Sequence, residues 1–111
     1  MEEKFITSAI EEEKDWKVLS LKGRMDRATS SAIGEKAESL LASSAKFAID
    51  VKGLSYLSSA GIRILLQLAK KAKAEQKAFA LCGAEGFVKE IIEESNMNAL
   101  VKIYPKREEL E

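Results

Sequence analysis

The sequence predicts one α/β domain spanning residues 1–111, with a mixed, mostly parallel sheet of four to five strands and three main helices in the order β-β-α-β-α-β-α-β. Three observations predict it. Short strand-like runs alternate with longer segments of helical spacing, which is the mark of β-α-β units. The first two strand-like runs are separated only by a charged turn, so they form an antiparallel hairpin. The chain has 111 residues, of which 46% are hydrophobic and 32% charged, the make-up of one globular domain.

The first strand is read at Phe5 to Ile10, with Glu11-Glu12-Glu13-Lys14-Asp15 as a solvated turn. The second runs from Trp16 to Leu21 and is closed by Gly23-Arg24-Met25-Asp26, where Gly23 frees the backbone to turn. Thr29, Ser30 and Ser31 are candidate N-caps for the first helix. On it, Ile33, Ala37, Leu40 and Leu41 fall on one face. Ala42-Ser43-Ser44-Ala45 is its exit.

Phe47, Ile49 and Val51 alternate with Ala48 and Asp50 in the third strand, and Gly53 to Leu57 carry the chain onward. Tyr56 and Leu57 read as core residues. From Gly61 to Ala74 the pattern is helical, with Ile62, Leu65, Leu66 and Ala69 as an apolar stripe and Arg63, Gln67 and the lysines opposite. Ala78 to Cys82 is the fourth strand. Phe87, Val88, Ile91 and Ile92 mark the inner face of the third helix. Leu100 to Tyr104 is a short fifth strand, and Pro105 opens a last helical turn. With sequential strands adjacent and crossovers right-handed, all three helices belong on one face of the sheet.

Composition excludes several functions. The chain contains no histidine, so neither a Ser-His-Asp mechanism nor a histidine-ligated zinc site is available. Cys82 is the only cysteine; it ends an apolar run and reads as a small buried hydrophobe in a chain from a reducing compartment. Acids and bases balance at 18 each, so no nucleic-acid partner is expected. No apolar run approaches the ~20 residues of a membrane helix. The start, Met1-Glu2-Glu3-Lys4, is charged and unlike a signal peptide. The expectation is a cytoplasmic protein without membrane contact, cofactor or metal, and not an enzyme.

The chemistry-bearing stretch is Tyr56-Leu57-Ser58-Ser59-Ala60-Gly61-Ile62-Arg63-Ile64-Leu65. It places two serines where a helix begins, beside free N–H groups and the positive end of the dipole. Such serines act as caps. The same position also suits a phosphate, so the stretch reads either as a helix cap or as a phosphorylation switch.

Three stretches together resemble a known family. Gly23-Arg24-Met25-Asp26, then Asp50-Val51-Lys52-Gly53-Leu54-Ser55-Tyr56-Leu57, then Ser58-Ser59-Ala60-Gly61-Ile62-Arg63-Ile64-Leu65 are similar to the signature of STAS domains of the bacterial anti-sigma-factor antagonist type. The resemblance implies an interaction protein. In its unmodified form such a protein binds an anti-sigma factor that is also a serine kinase. Phosphorylation of a serine at the start of the second helix releases it, and a metal-dependent serine phosphatase reverses the step. Carried over by position, the acceptor is Ser59, with Ser58 as the alternative. Asp26, Ser58, Gly61 and Arg63 form its surroundings and the partner-binding surface. Ser58 stands where many members have aspartate, and Arg63 also reads as a plain solvent-facing residue. Two other functions compete: a STAS module of a transport or stress-signalling assembly, and a small-ligand or nucleotide-binding module. The chain lacks both the Gly-x-x-x-x-Gly-Lys-(Ser/Thr) and the Gly-x-Gly-x-x-Gly loops that the last would favour.

Overall fold

Alternation of bulky and small residues along the third and fourth strands decides how the layers stack. In the computed structural model, which describes residues 5–111, five strands form one sheet in the order β1-β2-β3-β4-β5. β1 (Ile6–Glu13) is antiparallel to β2 (Trp16–Met25). β3 (Lys46–Leu57), β4 (Ala78–Cys82) and β5 (Lys102–Tyr104) continue the sheet in parallel. Between them lie α1 (Ser30–Ala42), α2 (Ser59–Ala74) and α3 (Gly86–Glu94), with 3₁₀ turns at Met97–Ala99 and Arg107–Glu109. This is the predicted order of elements. The charged start at residues 1–4 lies outside the described residues.

All three helices share one core with one face of the sheet. Leu19, Leu21, Phe47, Ile49 and Leu81 meet Ile33 and Leu41 of α1, Leu65 and Leu68 of α2, and Val88 and Ile92 of α3. The small side of the sheet forms a second cluster: Trp16, Val18, Ala48, Ala80, Cys82 and Tyr104, closed by Leu110. No described helix covers it; the segment after β5 does.

Several boundaries differ from the expected ones, each for a physical reason. β1 runs on through Glu13, and the hairpin turn is only Lys14-Asp15, with Lys14 at φ 57°. On an edge strand, exposed glutamates such as Glu11 and Glu12 cost little and discourage pairing with another chain. Gly23 does not end β2 but sits inside it at φ 117°. The segment Gly53 to Leu57 is strand, not loop. The β2/β3 register slips between Ser20 and Lys22 and again between Gly23 and Arg24, so β3 carries extra residues and bends. Gly53 is required there: a Cβ would lie 2.5 Å from the Leu21 carbonyl oxygen. α2 starts at Ser59, two residues before the expected start at Gly61. β5 is shorter than expected because Met97–Ala99 forms a 3₁₀ turn just before it.

Candidate functional site

The bulged end of β3 delivers the chain directly into α2. Ser58 is the N-cap, in an extended conformation (φ −93°, ψ 173°). Its Oγ accepts a hydrogen bond from the Gly61 N–H at 3.3 Å, the third residue of the helix. Its own N–H donates to the Met25 carbonyl at 3.0 Å, tying the start of α2 to the end of β2. Gly61 makes this approach possible, since a Cβ there would lie 2.6 Å from Leu57 Cδ1 and 3.1 Å from the Met25 carbonyl oxygen.

Ser59 is the first helical residue and is exposed. Its hydroxyl makes no hydrogen bond among the described residues, and the N–H groups of Ser59 and Ala60 likewise have no partner there. The two serines thus differ: one oxygen is spent on the cap and half-buried, the other is free. The sequence pattern had left the capping and switching readings open for the pair; the structure gives the cap to Ser58 alone.

Asp26 follows Met25 and lies one residue from the carbonyl that receives the Ser58 N–H. Its Oδ1 accepts from the backbone N–H groups of Ala28 (3.0 Å) and Thr29 (3.2 Å), so it holds the loop into α1. Partial burial pushes this carboxyl up, but hydrogen bonds from the Thr29 and Ala28 N–H groups and the Thr29 hydroxyl, with the charge of Arg24, outweigh it. Asp26 is held below its ordinary value. Of the three candidate caps for α1, Thr29 takes the position, yet its hydroxyl donates to the Arg24 carbonyl at 2.7 Å and accepts from the Asp26 N–H rather than bonding into the helix. Arg63 lies one turn after Ser59 on α2, exposed and without an ion pair among the described residues.

Sequence reasoning missed one cluster beside these residues. The Arg24 guanidinium lies 3.6 Å from Asp26 Oδ2 and 4.3 Å from the centre of the Tyr56 ring. Tyr56 in turn stacks on Phe87 of α3, with ring centres 6.4 Å apart. Tyr56 is therefore half-buried at the surface rather than in the core, and Phe87, expected to face inward, is 57% exposed. Only the slipped register, which pairs Arg24 with Tyr56, brings these side chains together, and no local pattern signals it. A separate cavity of about 740 Å³, lined by residues including Asp50, Lys52, Gly83 and Arg107, contains neither serine nor Asp26.

The chain as a whole is similar to known proteins. A family model described as "Mlab, STAS domain" matches residues 8–102. The chain belongs to the STAS domain family. Among solved structures, this STAS domain resembles an anti-sigma factor antagonist from Mycobacterium paratuberculosis, at 23% identity and a TM-score of 0.83 over 91% of this chain and 86% of that one. It also resembles the Bacillus cell fate determinant SpoIIAA in its phosphorylated form (15% identity, TM-score 0.69, 92% and 95% covered). A sulfate transporter family protein from Wolinella succinogenes shares the fold as well (9% identity, TM-score 0.68, 85% and 81% covered). Likeness at these identities establishes the fold. The antiparallel β1–β2 pair and the three helices on one face are those expected of a STAS domain.

Proposed function

We propose that this STAS domain is an anti-sigma factor antagonist, and that Ser59 is its phosphoacceptor. The observation that carries the reading is the free, exposed Ser59 hydroxyl at the first position of α2, beside a Ser58 whose oxygen is committed to Gly61. In the unmodified state the domain binds an anti-sigma factor serine kinase, without catalysis of its own. The Ser59 oxygen then attacks the γ-phosphorus of ATP held by that kinase, ADP leaves, and the hydroxyl proton passes to the kinase.

The fold tolerates the product. The phosphate meets the unpartnered N–H groups at the helix start and the positive end of the dipole. The partner surface does not tolerate it, because docking would have to desolvate a near-dianion. A penalty of about 4 kcal/mol reduces affinity nearly a thousandfold. Asp26 adds repulsion, and its pairing with Arg24 softens that repulsion without removing it. A metal-dependent serine phosphatase resets the state.

The test is incubation of the domain with ATP and the anti-sigma factor serine kinases of its own genome, read by intact mass and peptide mapping. One phosphate on Ser59, absent from Ser59→Ala and retained in Ser58→Ala, is the expected result. Full incorporation in Ser59→Ala refutes the assignment. The matched family bears the Mlab name, and a transporter protein shares the fold. These favour a second reading, a STAS module of a transport assembly. Co-purification with transporter subunits, and with no sigma-regulating kinase, would select it.

A further inference from the structure

The second face of the sheet has an unusual cover. Residues 105–111 leave β5 and run back across Trp16, Val18, Ala80 and Cys82, all of which are at most 4% exposed. Only one apolar side chain of this strap, that of Leu110, enters the cluster. Pro105, Lys106, Glu108 and Glu109 stay exposed. The other ties are polar; of their partners Asp50 and Trp16 are buried, whereas Glu11 and Lys14 lie at the surface. Arg107 Nη2 bridges Asp50 Oδ2 at 2.8 Å and Glu11 Oε1 at 2.7 Å. Lys14 Nζ donates to the carbonyls of Glu108 (2.9 Å) and Leu110 (2.7 Å), and Trp16 Nε1 donates to that of Glu111 (3.0 Å).

We propose that this strap is a latch: it opens as a unit, without unfolding the domain, and so exposes the Trp16–Tyr104 face of the sheet to solvent. The physical basis is the uneven distribution of anchoring. The helix-side core ties β2, β3 and β4 to three helices through many fully buried side chains and persists when the strap leaves. The strap's backbone contributes no sheet pairing, and three of its polar partners, Lys14, Lys46 and Glu11, sit at or near the surface, where water replaces them at small cost. Asp50 loses Arg107 on opening but keeps its hydrogen bond from the Lys52 N–H at 2.9 Å and gains water. Segments anchored in this way open locally at free energies below that of global unfolding.

The latch carries its own reporters. Trp16 is the only tryptophan and Cys82 the only cysteine, and both lie in the cluster that Leu110 closes. The experiment measures labelling of Cys82 in the full chain by an aromatic disulfide, in which the Cys82 thiolate displaces an aromatic thiolate, as a function of urea below the unfolding transition. The labelling rate is expected to depend on urea far more weakly than the global equilibrium constant does. Leu110→Ala is expected to speed labelling about thirtyfold, equivalent to ~2 kcal/mol at 1.4 kcal/mol per factor of ten, and to shift Trp16 emission to the red. Ile92→Val, on the helix side, lowers global stability yet is expected to leave the labelling rate in the absence of urea unchanged. Labelling whose urea dependence equals that of global unfolding overturns the latch. An increase of about fivefold in Ile92→Val, the share due to its lost global stability, overturns it as well.

Discussion

Replacing the two adjacent serines separately tests the division of labour between them. Ser58→Ala removes the oxygen that accepts from Gly61 N–H, leaving that donor without its protein partner at a helix start. Loss of an N-cap costs about 0.5–2 kcal/mol. At 3.3 Å the bond is at the long end, so the expected loss is in the lower half of that range, ~0.5–1 kcal/mol. With about 2.1 cal/mol/K of unfolding entropy per residue over 111 residues, this lowers the midpoint of thermal unfolding by about 2–4 °C. Ser59→Ala removes a hydroxyl that bonds to nothing among the described residues, so its expected effect lies within ~0.5 kcal/mol. Ser58→Gly should recover most of the Ser58→Ala loss, because glycine is nearly as good a cap. Urea unfolding followed by circular dichroism gives the three differences directly. Equal losses for Ser58→Ala and Ser59→Ala would show that the cap is not where the geometry puts it. The case for Ser59 as the free hydroxyl would then fail.

Gly61→Ala drives a Cβ against Leu57 Cδ1 and the Met25 carbonyl; a loss of about 1–3 kcal/mol in urea unfolding is expected, together with reduced partner binding as the start of α2 shifts. Gly53→Ala meets the Leu21 backbone oxygen at 2.5 Å, which cannot rotate away, so a loss of similar size, about 1–3 kcal/mol, is expected in urea unfolding, without any change in the phosphorylation proposed for Ser59. Asp26 has its carboxyl lowered in the folded state. Its contribution to stability is therefore complete above the ordinary aspartate range and is lost as pH falls through the folded value. Asp26→Asn should flatten that part of the acid-unfolding curve and leave stability at pH 7 to 8 with a constant offset; an unchanged acid limb would refute the assignment.

Much of the architecture was legible because it follows from short-range pattern. The alternation of Phe47, Ile49 and Val51 with Ala48 and Asp50 reads directly as a strand with one bulky and one small face, and the structure places those faces on the helix-side core and the strap-side cluster. The spacing of Ile33, Ala37 and Leu41 likewise marks the buried face of α1. Boundaries were less legible, because strand length depends on a partner. Glu11 to Glu13 look like a turn until they pair with Val18, Lys17 and Trp16. Gly53 to Leu57 look like a loop until two register slips let them follow β2.

The site divides along the same line. The sequence alone determined that a serine pair opens a helix, that the chain has no histidine of its own to serve as a general base beside it, and that Asp26 follows the second strand. Which serine is occupied and which is free was a matter of tertiary structure, since it depends on the extended backbone of Ser58 and its N–H bond to Met25. So was the Arg24–Tyr56–Phe87 stack, which gathers side chains from β2, β3 and α3. The cover over Trp16 and Cys82 was equally beyond local reading, because Leu110 is close to neither in the chain. Periodicity reports which face of an element is buried; contacts between distant segments are fixed only when the sheet closes and the chain returns across it.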